Sequence, residues 1–240
     1  MGDALDKLLS PMRAAVERYQ MIKPGDNIAV GLSGGKDSII LLALLKRLQR
    51  FYPSPFKLFA ITLDPGFNGK NTDYTQITLL CENLDIPHII KRTQLSEIIF
   101  DLRKESNPCS LCSRMRRGVL HKAAQEAGCN VVALGHHLDD AAQTLLMNMF
   151  ASGTISCFSP VSVLTRRELR LIRPLIYLRQ SSISSAVKKC GLPVVKSKCP
   201  VDGKTHRKQI ENLILSLSPQ YGNLSERLVG AMQKGHISGW

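Results

Sequence analysis

Ile28-Ala-Val-Gly-Leu-Ser-Gly-Gly-Lys-Asp-Ser38 is the stretch that decides the fold. Its apolar start, with the β-branched Ile28 and Val30, reads as a buried strand, and Ser33-Gly34-Gly35 reads as a turn. From Lys36 onward Ile39, Ile40, Leu42, Ala43, Leu44, Leu45 and Leu48 recur over too long a span for a second strand, so a helix follows. A strand, a glycine turn and a helix aim backbone N–H groups and the positive end of the helix at one spot, which makes an anion site. The paired glycines let the backbone approach a ligand closely. Ser33 and Ser38 add hydroxyls and Lys36 adds a cation. The spacing is neither the Walker pattern nor the three-glycine dinucleotide fingerprint.

Ser-Gly-Gly-Lys-Asp-Ser resembles the signature of the N-type ATP pyrophosphatases, the PP-loop family. The resemblance implies that Ser33, Gly34, Gly35, Lys36, Asp37 and Ser38 hold the pyrophosphate of ATP while a substrate is adenylated at the α-phosphate. Lys36 and Asp37 are the loop's candidate catalytic residues.

Working outward, the pattern alternates strand and helix. Helix is expected over Ala4–Ile22, bent or restarted at Pro11, and a strand over Lys57–Leu63 ends at Asp64. A helix over Asn71–Leu84 has Thr72 as its candidate cap, and a strand covers Pro87–Ile90. Helices follow over Leu95–Arg103 and over Leu111–Gln125, the latter after a break at Asn107-Pro108 and closed by Gly128. A strand covers Asn130–Leu134, with a helix from Ala141 to Phe150. Strand material is expected over Ser156–Leu164 and Leu169–Ile172, a helix over Ser181–Cys190, and two tail helices between Gly203 and Gln233, broken near Pro219. The order implies an α/β fold, a doubly wound parallel sheet with a short C-terminal helical appendage. Residues 1–24 form an N-terminal helix, 25–200 the nucleotide domain with an insert carrying cysteines, and 201–240 the helical tail. Ligands of such sheets lie beyond the carboxyl ends of the strands. The Ser33 turn, Asp64 and the Gly135–Asp140 loop all fall there, and Asp64 and Gly135 are placed beside the adenosine.

Gly135-His-His-Leu-Asp-Asp140 puts Asp139 and Asp140 at a strand end, where two carboxylates suit Mg²⁺ held together with substrate phosphates. Either acid can instead cap the next helix. The block resembles the PP-loop family's Gly-His-x-x-Asp-Asp motif. Gln143-Thr144 stands where the tRNA-modifying branch commonly has Glu-Thr.

Cys109-Ser-Leu-Cys112, read at a break before a helix, presents two thiolates to one metal centre or forms a redox dithiol. Arg114, Arg116 and Arg117 beside it favour thiolate. There is no second Cys-x-x-Cys, but Cys199 stands in a basic, non-helical stretch before Pro200. Three thiolates would leave one position open on a [4Fe–4S] cluster, where an iron takes up sulfide. Cys81, Cys129, Cys157 and Cys190 read as small buried hydrophobes.

The phosphate loop, Pro108-Cys-x-x-Cys-x-x-x-Arg-Arg117, the Gly135 block, Arg173-Pro-Leu175 and Cys199-Pro together resemble the tRNA 2-thiocytidine synthetase family, from the first strand to Cys199. This implies a cluster on Cys109, Cys112 and Cys199, adenylation of a tRNA nucleobase carbonyl (cytidine C2), and replacement of that oxygen by sulfur, with Cys109 and Cys112 in the catalytic centre. The family's late motif often carries two cysteines; here Cys199 is alone. Other readings keep the same residues: a cluster-dependent desulfidase, a thiolase using Cys109 and Cys112 as persulfide and resolving thiol, and a Zn²⁺-stabilised RNA-binding module.

The chain carries 32 Lys/Arg against 19 acids. The excess lies in residues 91–122, with eight Lys/Arg to three acids, and 164–208, with twelve to two. Such segments read as a phosphate-binding footprint, with tRNA as the partner and a solvated basic face as the bland alternative. The remaining expectations are a sulfur donor (sulfide or a cysteine desulfurase), a homodimer, no membrane association, no secretory signal, and a cytoplasmic setting in which the seven cysteines stay reduced.

Overall fold

The computed structural model describes residues 2–69, 71–102, 108–196, 198–199 and 206–240. Helix α1 (Gly2–Arg18) leads to the central strand β1 (Asp26–Gly31) and α2 (Lys36–Gln49). Next come β2 (Phe56–Asp64), α3 (Thr75–Asn83), β3 (His88–Arg92), α4 (Pro108–Glu126), β4 (Val131–Ala133) and α5 (Leu138–Ser152). The chain closes with β5 (Val161–Leu164), β6 (Leu169–Ile172), α6 (Gln180–Lys189), α7 (His206–Tyr221) and α8 (Leu224–Lys234). The sheet runs β3-β2-β1-β4-β6-β5. It is parallel except for β5, which pairs antiparallel with β6 at the edge. The order reverses between β1 and β4, so the ligand crevice is expected at the carboxyl ends of those two strands.

Alternation along β1 sorts the two faces. Ile28 and Val30 point into the larger core with Met12 of α1, Ile40 and Leu44 of α2, and Val131 and Ala133 of β4. Ala29 faces the other way, with Val132, Leu171 and the Ala123-Ala124 pair of α4. Each fully buried Ile or Leu contributes about 1.5–3 kcal/mol, so α2, buried from Ser38 through Leu45, is held rigidly under its own N-terminus. Val229 and Met232 of α8 and the terminal Trp240 belong to the same larger core.

Several local expectations are corrected. Pro11 does not interrupt α1, because its stripe of Leu5, Leu8, Leu9, Met12 and Val16 is buried and offsets the lost hydrogen bond. The helix stops at Arg18 instead of Ile22, with Gln20 in the left-handed region. Thr72 caps nothing: α3 starts at Thr75, whose N–H donates to Asp73 Oδ1 at 2.9 Å, while Thr72 donates to Asp64. Residues Glu97–Leu102 form a π-helical turn. Strand structure begins at Val161, not Ser156, because that segment's backbone is engaged elsewhere. Asn148 Nδ2 donates to Ser156 O at 2.8 Å, and the Cys157 N–H donates to Ser238 Oγ at 3.1 Å. Pro219 lies inside α7, and the chain turns at Gly222, whose φ of 68° suits glycine. The Arg103 end of the fourth expected helix, the Asn107 break and the Gly203 start of the tail lie outside the described residues.

At the opposite end of the sheet from the crevice, Asp26 is buried and joins three strands. Its Oδ1 accepts from Asn130 Nδ2 at 2.9 Å, and its Oδ2 accepts from the Lys23 N–H at 2.7 Å and from Arg170 Nη2. Asp26→Ala leaves a largely buried guanidinium without its counter-ion and is expected to cost about 3–5 kcal/mol in urea denaturation. The double replacement with Arg170→Met is expected to recover part of that loss.

Candidate active site

The turn after β1 is held open from within. Gly34 has φ of 81°, a left-handed conformation that a side chain resists. The Gly35 N–H donates to Ser33 Oγ at 3.3 Å, Ser38 Oγ donates to Gly35 O at 2.8 Å, and the two hydroxyls lie 3.2 Å apart. Gly35 caps α2 without any side-chain hydrogen bond, so the first N–H groups of that helix are left for an anion. Lys36 Nζ folds onto Asp37 Oδ2 at 2.9 Å, and Asp37 Oδ1 is buried without a hydrogen bond.

A second loop closes on this turn. A Cβ on Gly135 would lie 3.0 Å from Asp37 C and 3.2 Å from Ser38 N, so any side chain there would press on the phosphate loop's backbone. His137 then caps α5 in a reciprocal box: its N–H donates to Asp140 Oδ2 at 3.0 Å, and its Nδ1 accepts from the Asp140 N–H at 3.4 Å. That bond places the proton on Nε2, which faces Asp140 Oδ2 at 3.4 Å and Asp37 Oδ1 at 3.9 Å. Asp139 Oδ2 accepts from the Gln180 N–H at 2.7 Å, fixing the start of α6. Asp140 Oδ1 accepts from Arg207 Nη1 at 2.8 Å. Burial opposes ionisation of Asp140, but His137, His136, Arg207 and the His137 N–H outweigh it and hold the carboxyl below its usual range.

Asp64 is fully buried, and its oxygens serve its own loop. Oδ1 accepts from the Gly66 N–H at 3.2 Å and Oδ2 from the Thr72 N–H at 2.8 Å.

Cys109 and Cys112 sit in the first turn of α4, not in a break before it. Cys112 packs on a small cluster of Leu63, Leu95 and Ile99, which seats the start of the helix against β2. Burial raises the Cys112 thiol above its usual value; Arg116 opposes this and the nearby Cys199 and Cys109 reinforce it. The flanking arginines therefore do not make Cys112 a thiolate by themselves. Cys199 arrives from the far side. After α6 the chain passes the phosphate loop, and the Val195 N–H donates to Gly34 O at 2.9 Å. The result is one cavity of about 460 Å³, lined by Ser33, Cys109, Cys112, Cys199, Arg116, Arg117 and His136 over an apolar floor that includes Leu32, Ile61 and Leu134.

Among the described residues, no group of three His, Cys, Asp or Glu stands close enough to hold a single metal ion. A [4Fe–4S] cluster is ligated through separate irons, so its thiolates stand further apart than the ligands of one Zn²⁺ ion, and three thiols around one cavity fit it. Asp139 and Asp140 do not fit Mg²⁺ in the same way. Three of their oxygens already accept from Gln180, His137 and Arg207, and the last of these is itself a cation.

The basic segments come together as well. Gln125 Nε2 donates to Arg167 O at 3.0 Å and Arg167 Nη1 donates to Gly118 O at 3.4 Å, so the turn between β5 and β6 lies along α4. Arg167 thereby comes near Arg117, both of them acting on His121 of α4, while Arg116 lies in the cavity beside Cys112. Two residues of the site had no distinct sequence signal. Arg207 reaches Asp140 across 67 positions, and His136 is marked only by its place in the Gly135 block.

A strand–glycine turn–helix unit at a switch point, facing a second sheet-top loop, defines a nucleotide-binding domain of the PP-loop class, and the family described as "PP-loop domain" matches residues 7–219. Among curated proteins, the chain is 38% identical over 221 residues to the tRNA-cytidine(32) 2-sulfurtransferase of Syntrophotalea carbinolica, covering 91% of this chain and 85% of that one. It is 34% identical over 224 residues to the protein of that name from Neisseria meningitidis, covering 91% and 69%. Among solved structures, the U34-tRNA thiolase NcsA from Methanococcus maripaludis with its [4Fe–4S] cluster superposes with a TM-score of 0.76 at 25% identity, covering 94% of this chain and 77% of that one. The chain belongs to the PP-loop family and, within it, to the tRNA 2-thiocytidine synthetases.

Two outcomes test this geometry. Gly135→Ala is expected to weaken ATP binding by about tenfold or more in calorimetry, because the added methyl presses on backbone rather than on a side chain that can turn away. The second concerns pH. Burial pushes His136 down to about 4. The unfolded chain takes up that proton first, so the neutral ring's contribution is intact above about pH 6.5 and is lost as pH falls towards 4, by up to about 3 kcal/mol. His136→Gln is expected to flatten that part of the stability profile in urea titrations at pH 7, 5.5 and 4.5.

Proposed function

We propose that the protein is an ATP-dependent tRNA sulfurtransferase that replaces the C2 oxygen of cytidine 32 with sulfur. The observation that carries this reading is the shared cavity, where Ser33 of the phosphate loop and the thiols of Cys109, Cys112 and Cys199 line one space. An activating centre and a sulfur-handling centre on one cavity suit a reaction with two consecutive displacements at one base.

The phosphates of ATP lie on the Ser33–Ser38 turn, against the uncapped N-terminus of α2. Lys36, now folded onto Asp37, turns to the phosphates and stabilises the charge that develops on the leaving pyrophosphate. The base's carbonyl oxygen attacks the α-phosphorus, pyrophosphate departs, and the oxygen remains as an adenylate. Hydrosulfide, taken as free sulfide or released by a thiol reductant from the persulfide of a cysteine desulfurase, then adds to C2, and AMP leaves with the original oxygen. Cys109, Cys112 and Cys199 would hold a [4Fe–4S] cluster, which would supply an open iron as a site for sulfide beside the adenylation centre. ATP carries Mg²⁺ on its own phosphates, and no step is assigned to it through Asp139 or Asp140. The joined basic surface of α4 and the β5–β6 turn holds the tRNA backbone.

An anaerobic preparation tests the reading. Brown protein whose visible absorbance is lost in each of Cys109→Ala, Cys112→Ala and Cys199→Ala, together with pyrophosphate release that requires added tRNA, is the expected result. Affinity for tRNA is expected to fall steeply between 50 and 200 mM salt, as neutralised phosphates demand. Colourless protein with stoichiometric Zn²⁺, or an intact cluster without tRNA-dependent pyrophosphate release, overturns it.

A further inference from the structure

The cavity between the phosphate loop and the cysteines contains a polar side chain that the steps above do not use. His136 follows β4 directly, and its ring lines the cavity. Its Nδ1 is buried without a hydrogen-bond partner. The ring is held in place: it packs on Phe158 at 4.9 Å between centroids, and Phe158 is fixed in turn from two sides. The Arg173 guanidinium stands over the Phe158 ring at 5.0 Å, and the terminal Trp240 lies 6.2 Å from it and donates Nε1–H to Phe158 O at 2.8 Å.

A neutral imidazole carries one proton, and burying an unpaired N–H is rarer in folded proteins than burying an under-used acceptor. The proton therefore belongs on Nε2. With Nδ1 enclosed, the edge that lines the cavity is the one carrying Nε2–H. Of the other polar side chains that line the cavity, Ser113 lies on α4 next to Cys112 with a freely rotating hydroxyl that fixes no donor direction, and the rest serve different ends. Ser33 belongs to the phosphate turn, Arg116 interacts with Cys112, and Arg117 is a cation suited to a phosphate.

We infer that His136 reads the target base, donating a hydrogen bond from Nε2–H to ring nitrogen N3 of a cytosine seated on the apolar floor of this cavity. This rests on the reading of the protein as a tRNA sulfurtransferase and gives that site its base specificity. N3 of cytosine carries a lone pair, whereas N3 of uracil carries a hydrogen, so the same fixed donor accepts one pyrimidine and opposes the other. Sites built around one such hydrogen bond discriminate strongly, because the wrong partner leaves buried polar groups unpaired. The bond also serves the second displacement. When hydrosulfide adds to C2, electron density moves onto N3, where the donor stabilises it. The C2–O bond then breaks, AMP leaves with the electron pair, and the hydrosulfide proton passes to water. His136 is in this sense a catalytic residue as well as a selective one.

The test uses the cluster-loaded protein and two tRNA transcripts, with cytidine or uridine at position 32. His136→Ala is expected to lower kcat for 2-thiocytidine formation by about 10²–10³-fold, the usual effect of deleting one such donor, and to narrow the preference for cytidine over uridine. Cluster absorbance and ATP affinity are expected to stay at wild-type levels. His136→Gln places an amide N–H near the position of Nε2 and is expected to regain about tenfold or more of the loss; His136→Asn, which reaches only as far as Nδ1, is expected to regain none. A wild-type rate and preference in His136→Ala, equal rates in the Gln, Asn and Ala variants, or loss of cluster absorbance in both Ala and Gln variants overturns the inference while the sulfurtransferase reading stands. Absence of pyrophosphate release by the wild-type protein with either transcript overturns both.

Discussion

The backbone-to-backbone contact between Gly135 and the Asp37-Ser38 peptide is the constraint on which the site depends. Two strand ends, β1 and β4, meet at the switch point of the sheet, and their loops must share the narrow space above it. A side chain at position 135 would separate them, because the atoms it would meet belong to the first turn of a buried helix and have no room to move. With glycine there, the phosphate turn and the His136–Asp140 loop become one surface. Everything placed by either loop is then in register with the other.

The carboxylates of that surface are structural before they are chemical. Asp139 fixes α6, Asp140 completes the cap of α5 and anchors α7 through Arg207, and buried His137 lies among Asp37, Asp139 and Asp140. Both anchored helices border the stretch that carries Cys199: α6 precedes it and α7 follows it. The same cluster that organises the sheet top therefore holds both helices that flank the stretch carrying Cys199. The Val195–Gly34 hydrogen bond ties that stretch to the phosphate turn a second time. In this way the phosphate turn and the three cysteines are parts of one framework rather than two modules.

Much of this was legible in the chain. The change from an apolar run to a helical period at Lys36 specified the strand–turn–helix unit, and the glycines there gave its purpose. Cys109-x-x-Cys112 was visible by spacing, and the excess of Lys/Arg in two segments was visible by counting. Local breakers misled. Pro11 lies inside α1 because burial of neighbouring apolar residues outweighs the lost hydrogen bond, and Ser156–Ser159 is not strand because side chains elsewhere capture its backbone. Thr72 has cap chemistry, but a buried carboxylate eight residues upstream takes its N–H. In each case a long-range partner decided between local options of similar energy.

The sequence by itself determined the class of fold and the kinds of chemistry present, since periodicity, glycine turns and close cysteine pairs act over a few residues and leave a pattern that can be read. Tertiary structure alone decided which of those groups share a space. It brought Cys199 across the phosphate turn to Cys109 and Cys112, joined the two basic segments through Arg167 and Gly118, turned Asp140 towards Arg207, and left His136 facing the same cavity with no hydrogen-bond partner. Those pairings span tens of positions and depend on strand order and helix packing, for which no short stretch of sequence carries a signal.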